Sequence, residues 1–187
     1  MRRSLIDIED ARRSRDAGRS SGSRDDWETP DDFFQALHEE FGFTIDACAN
    51  QHNHKLERYC SPASSAFGND FRGETVWCNP PYGKVAKRFA RMAYEGAAAG
   101  DETWVLLVPP RTDAAWWHEY MMRATELRFV RGRIAFLEDG VPKDDNRHPS
   151  VLAVFVAGRV DRALGPRVRA YIQPKDRVAD QARGKLL

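Results

Sequence analysis

Cysteine is scarce in this 187-residue chain. Cys48, Cys60 and Cys78 do not make a disulfide scaffold, so reduced thiols in a cytoplasmic protein are expected. Long apolar runs are missing as well. No stretch approaches the roughly 18 consecutive apolar residues of a membrane span. The N-terminus, MRRSLIDIEDARRSRD, has basic residues with no apolar run behind them, which is not the pattern of a secretory signal. An excess of one charge is also absent. Lys and Arg number 29 against 28 Asp and Glu, a formal net charge of +1. That argues against a uniformly basic chain but leaves room for a local basic face. Internal repeats are not evident, and no large insertion is present.

What remains is enough for one domain with short tails. The hydrophobic fraction is 42% and the charged fraction 30%, which suits one sizeable core under a solvated surface. Residues 1–25 are rich in Arg, Ser, Asp and Gly and are expected to be a disordered tail. The ordered domain is expected over 26–158. The segment 159–187 carries eight Arg or Lys against three Asp, a net +5. It reads equally as a phosphate-binding edge or as a solvated tail.

Within the domain, Thr29 is placed to cap a helix and Pro30 to take its first position. Phe33, Phe34, Leu37 and Phe41 then form an apolar stripe of helical period, with Gly42 as C-cap. Residues 43–48 and 74–78 read as short strands separated by a polar, irregular stretch. A helix over Val85–Ala98 follows. Thr103–Val108 is nearly all apolar, as in a strand covered on both faces. Thr112 or Asp113 is expected to cap a helix containing Trp116, Trp117, Tyr120 and Met121, with both tryptophans packing it to the sheet. Strands are expected at 127–130, 134–137 and 151–156. This order predicts an α/β fold, a mostly parallel sheet with an antiparallel strand near the end. Asp46, Asn79 and Pro109 then all fall at strand ends, where such sheets bind ligands.

Asn79-Pro80-Pro81-Tyr82 carries the sharpest chemistry. Two prolines fix two φ angles and remove two N–H donors, and Pro80 pushes Asn79 out of the helical region. The loop is stiff and mainly presents acceptors. The Asn79 oxygen and a carbonyl of the proline pair suit an exocyclic NH₂, which has two hydrogens to donate. They would also stabilise positive charge on a nitrogen attacking a methyl carbon. Tyr82 offers a flat face for a flipped base. Orientation, not deprotonation, is the task of the amide. The alternative is a proline-rich turn with no chemistry. On these residues alone the amine could belong to adenine or N4 of cytosine in DNA, to adenine in RNA, or to a protein glutamine. A non-catalytic DNA-binding protein of the same fold also stays open.

The chain resembles S-adenosylmethionine-dependent amino-group methyltransferases, whose motif is (Asp/Asn/Ser)-Pro-Pro-(Tyr/Phe). More closely, it resembles the phage-type DNA N6-adenine methyltransferases over Trp27 to Phe155. The matching pieces are Trp27-Glu28-Thr29-Pro30, Ile45-Asp46-Ala47-Cys48-Ala49, Val76-Trp77-Cys78-Asn79-Pro80-Pro81-Tyr82, Leu107-Val108-Pro109, Trp116-Trp117 and Arg131-Gly132-Arg133-Ile134-Ala135-Phe136. The resemblance implies a Rossmann-like methyltransferase fold, S-adenosylmethionine as cofactor, adenine in double-stranded DNA as substrate, and phage or prophage origin in a bacterial cytoplasm. It implies Asn79, Pro80, Pro81 and Tyr82 as catalytic residues. Thr29 and Pro30 become cofactor contacts with Asn79 and Ala47. Asp46, an acid ending an apolar strand, reads as a partner of the cofactor's ammonium or ribose hydroxyls or as a helix N-cap. Asp70 reads as a contact to its adenine or ribose or as a surface turn, and Arg131 and Arg133 as DNA phosphate contacts or surface salt bridges. The chain departs from many methyltransferases in having no glycine in the turn after its first strand. The span from Asp46 to Asn79 is also short for two strand–helix units, so the sheet is expected to be trimmed. Cys48, His52, His54 and Cys60 are zinc-type ligands in the wrong spacing, and no metal is expected. His118 sits in an aromatic helix and reads as packing or surface, and His148, before Pro149 in a polar loop, has no visible partner.

Overall fold

A computed structural model describes residues 27–61, 65–142, 146, 148–160 and 165–182. The tail expected at 1–25 lies outside them. The chain forms α1 (Asp31–Phe41), β1 (Ile45–Asp46), β2 (Thr75–Cys78), α2 (Lys84–Ala99), β3 (Thr103–Val108) and α3 (Ala115–Glu119). A 3-10 turn at Met121–Arg123 leads to β4 (Glu126–Val130). The hairpin strands β5 (Leu137–Glu138) and β6 (Val141–Pro142), β7 (Val151–Phe155), β8 (Arg167–Tyr171) and α4 (Pro174–Ala182) complete it.

Six strands make one sheet in the order β1-β2-β3-β7-β4-β8. The pairs β1–β2, β2–β3 and β4–β8 are parallel, while β7 runs antiparallel to both neighbours. Only β7 therefore opposes the common direction. It is the antiparallel strand expected late in the chain, but it lies inside the sheet. The strand expected at 134–137 shrinks to Leu137–Glu138, because Ile134 and Phe136 turn into the core instead.

Alternation with period two splits the core between two faces. Trp104, Leu106 and Val108 of β3 face α2, with Val76 and Cys78 of β2 and Ala153 and Phe155 of β7. Val105, Leu107, Trp77, Leu152 and Val154 face α1. Phe33, Phe34 and Leu37 of α1 are buried there, as their spacing predicts. Gly42 ends α1 at φ 64°, and its N–H reaches His38 O. Two capping expectations fail. No side chain caps α1, whose N-cap position is Pro30. The helix at 115–119 follows Ala114, so neither Thr112 nor Asp113 caps it.

The basic C-terminal segment is not a solvated tail across 165–182. β8 extends the sheet beside β4, and Tyr171 is buried against Phe33. One of its charges, Arg169, joins an ion-pair network built on β4 and α1. Arg128, only 3% exposed, forks onto Glu40 of α1 at 2.7 and 2.5 Å and reaches Glu126 at 3.1 Å. Arg169 closes on Glu126 from β8. The guanidinium of Arg128 holds the Glu40 carboxyl below its usual range. Removing Arg128 deletes charge-assisted hydrogen bonds worth about 1.5–3 kcal/mol, but leaves Glu40 half-exposed and Glu126 still paired with Arg169. Arg128→Ala is expected to lose about 1.5–3 kcal/mol in urea unfolding. Arg58, whose side chain is 61% exposed beside Glu74, should shift the unfolding midpoint much less on the same change.

Candidate active site

The parallel strands end at one edge of the sheet. Asp46 pairs with Trp77, and Cys78 with Leu106. Asp46, Asn79 and Pro109 therefore leave the sheet side by side, where the sequence put them. From Asn79 the chain runs through Pro80 and Pro81 to Gly83, at φ 100°, and then into α2. That φ favours glycine. The turn is thus fixed at one end by prolines and permitted at the other by the missing side chain.

The Asn79 amide has a defined orientation. Its Nδ2 donates to Trp27 O at 3.4 Å and to Thr29 Oγ1 at 3.3 Å. A carbonyl only accepts, so the nitrogen must face Trp27. Oδ1 is left as the acceptor end. Thr29, buried, stands one residue before the N-cap position of α1, and its hydroxyl oxygen accepts from Asn79 instead. Its segment is held in turn by β5: Glu28 and Leu137 exchange backbone hydrogen bonds of 2.8 and 2.9 Å, and Trp27 stacks on Phe136 at 5.6 Å.

A cavity of about 280 Å³ opens beside this contact, lined among others by Thr29, Asp46, Ala47, Asn79 and Pro81. Asp46 is 2% exposed. Its carboxylate accepts the N–H groups of Cys48 and Lys55, both at 3.2 Å. Burial pushes its pKa up to about 6. The opposite wall is apolar and aromatic, with Phe67 and Phe89 at 4.9 Å and the Arg88 guanidinium 3.5 Å over the Phe67 ring. The glycine-less turn adds little bulk, since Ala47 and Ala49 stand there, and Ala47 N–H is tied to Trp77 O at 2.8 Å. A cavity that presents both a carboxylate and aromatic surface fits a ligand with a cationic amino-acid end and a flat ring system.

Not every expected residue joins this cavity. Pro30 does not line it, and neither does Asp70. Asp70 is exposed and gripped by Arg72, which holds its pKa down to about 2. Pro80 is buried. Tyr82 faces a second cavity, and burial pushes its phenol up to about 12, so the ring is neutral. Arg131 and Arg133 are exposed beyond β4, and their carbonyls accept from Gln173 Nε2 at 2.7 and 3.3 Å. Cys48 and Cys60 lie on the cavity wall, but His54 stacks on Tyr59 at 4.5 Å and His52 meets Gln51. Among the described residues no three His, Cys, Asp or Glu side chains gather as a metal site. Sequence reasoning missed Lys55, Asn53 and Phe67 as cavity residues. They sit in the irregular 49–72 stretch, where no periodicity could point to them.

The family of DNA N-6-adenine-methyltransferases (Dam) matches this chain over residues 18–178. A DNA N-6-adenine-methyltransferase of Haemophilus phage HP1 is 28% identical over 137 residues, covering 71% of this chain and 79% of its own.

The raised pKa of Asp46 gives a test of the cavity. In the ligand-free fold this group contributes stability at pH below about 3.8, lost as pH rises through about 6. A cationic ligand favours the ionised form, so its binding should release a proton. Calorimetry with S-adenosylmethionine is expected to show constant affinity above pH 7 and a decline of up to about tenfold per unit below pH 6. Asp46→Asn should bind more weakly at pH 8 and show no such slope.

Proposed function

Because the chain belongs to the DNA N-6-adenine-methyltransferase (Dam) family, and so transfers methyl from S-adenosylmethionine to N6 of adenine in DNA, we propose that Asn79-Pro80-Pro81-Tyr82 is its catalytic loop. The observation that carries this is the anchored amide of Asn79. With Nδ2 committed to Trp27 and Thr29, Oδ1 is an oriented acceptor at the rim of the Asp46 cavity. The fold is read as a trimmed Rossmann-like methyltransferase, in which the segment Arg58–Cys60 covers the outer edge of β1 in place of further strands. That reading is supported by the isolated bridge from Asp46 to Tyr59 and the hydrogen bonds beside it.

The cofactor supplies a methyl carbon already activated by sulfonium. Thr29, Asp46 and Ala47 bind it, with Asp46 as partner for an ammonium or ribose hydroxyls. Asn79 Oδ1 and a carbonyl of the proline pair accept both hydrogens of the adenine amine. They align its lone pair and stabilise the positive charge it acquires. No strong base is needed, because the proton leaves after transfer. Tyr82, neutral, supports the extruded base by its ring. A sulfonium donor needs no Lewis acid, so cofactor binding should survive a chelator. Arg131 and Arg133 take phosphates of double-stranded DNA.

Asn79→Ala is expected to slow single-turnover methylation roughly 100-fold or more. Cofactor binding should weaken only modestly, through the loosened Thr29 segment. Asn79→Asp keeps an acceptor but turns a second oxygen toward Trp27 O. It should therefore retain measurable turnover while losing cofactor affinity. Full rates in Asn79→Ala would remove this residue from the mechanism.

For the DNA phosphates, the double change Arg131→Ala and Arg133→Ala should weaken binding uniformly across sequences. The slope of log affinity against log salt should fall by about 1 for each phosphate that is no longer neutralised. Titrations at several salt concentrations measure this, and an unchanged slope would assign both arginines to the surface.

A further inference from the structure

The catalytic loop has a cavity on each side, and α2 divides them. Val85 and Phe89 line the first, while Ala86 and Lys87 line the second. The second encloses about 430 Å³ between Tyr82, Pro109, Trp116 and His148, with the exposed Lys84 and Lys87 at its rim. Trp116 and Trp117 have different roles. Trp117 is 2% exposed and belongs to the core. Trp116 is half-buried and contributes its ring to the cavity. The rings of Tyr82 and His148 meet edge to face, 6.3 Å apart at 89°. A planar base lying on one of these rings meets the other at its edge, where an imidazole offers nitrogens that donate or accept.

His148 reaches the cavity on a fixed backbone. Asn146 is 6% exposed and uses both ends of its amide. Its Nδ2 donates to Ile134 O at 2.9 Å, and its Oδ1 accepts the His148 N–H at 3.1 Å. The loop before β7 is thereby tied to the segment before β5.

We propose that Trp116 and His148 complete, with Tyr82, the receptor for the extruded adenine, and that Asn146 is the positioning residue that sets His148 in it. This rests on the reading of Asn79–Tyr82 as the site of transfer. The position suits it: the amine would lie at the loop between the cofactor cavity and the base. Aromatic walls suit a purine, and lysines at the rim suit the flanking phosphates.

The test is steady-state methylation of a duplex by Trp116→Ala, His148→Ala, Asn146→Ala and the His148/Asn146 double variant, with S-adenosylmethionine binding by calorimetry in parallel. Trp116→Ala and His148→Ala are each expected to lower kcat/KM about tenfold or more, with cofactor Kd within twofold. Trp116→Phe should recover most of the loss. Asn146→Ala should follow His148→Ala, and the double variant should be no worse than His148→Ala alone, a non-additivity that a purely structural role would not give. If an alanine variant fails to fold, Trp116→Leu and His148→Gln take its place, with the same losses expected. Folded variants that bind cofactor and keep wild-type kcat and KM would overturn the receptor. Additive losses in the double variant would overturn the role of Asn146. Asn79→Ala separates the two readings: slow Asn79→Ala beside normal cavity variants fails the receptor alone, whereas fast Asn79→Ala fails the loop.

Discussion

An amide side chain has a donor end and an acceptor end, and chemistry on an amine needs the acceptor. In this protein the choice is made by the Trp27 carbonyl, which can only accept and so draws Asn79 Nδ2 toward it. The rest of the site is arranged to keep that carbonyl in place. Thr29 adds a second acceptor for the same nitrogen. The short hairpin at 137–142 pairs with Glu28, and Phe136 backs Trp27. Segments fifty or more residues apart in sequence thus orient one amide at the Asn79-Pro80-Pro81-Tyr82 loop. The prolines fix the backbone, but they say nothing about which way the amide points.

The second constraint is the edge of β1. A two-residue strand at the border of a sheet leaves backbone groups unpaired unless something covers them. Arg58–Cys60 does so: Asp46 N–H goes to Arg58 O, and Cys60 N–H to Asp46 O. The carboxylate of Asp46 then organises the intervening loop by accepting from Cys48 and Lys55. One side chain both lines the cavity and holds its wall. This also explains why its pKa rises despite two hydrogen bonds. The bonds favour the ionised form, but the cost of burial exceeds them.

Periodicity and strand ends made much of the fold legible. The apolar runs at 103–108 and 151–155 are central strands, and the stripe Phe33, Phe34 and Leu37 faces the sheet. The loop after Cys78 was legible because its proline pair restricts geometry without tertiary help. Asp46 was legible as an acid ending an apolar strand. What was not legible depended on distant partners. Thr29 reads locally as a cap, yet its hydroxyl is claimed by Asn79. β8 alternates arginine with small apolar residues but buries only Tyr171, so no core-facing stripe marks it, and Arg169 pairs with Glu126 and Glu40 from distant segments. Trp116 and Trp117 look equivalent in sequence, and only the short helix decides which one is buried.

Charge placement resolves the near-zero net charge of a DNA-modifying protein. Arg128 and Arg169 are matched inside the fold by Glu40 and Glu126, so these four groups cancel away from the loop ends. Arg58 is matched by Glu74, and Arg72 by Asp70. Lys84, Lys87, Arg131, Arg133 and Lys175 are all exposed or at the rim of the loop face, on segments that follow strand ends. The sum over the chain therefore hides a division. Several carboxylates are drawn into structural pairs, while Lys84 and Lys87 stand exposed at the cavity beside Tyr82. Phosphates respond to the local field within about a Debye length, roughly 8–10 Å, and not to the total. A net charge of +1 is therefore compatible with local groups of exposed cations.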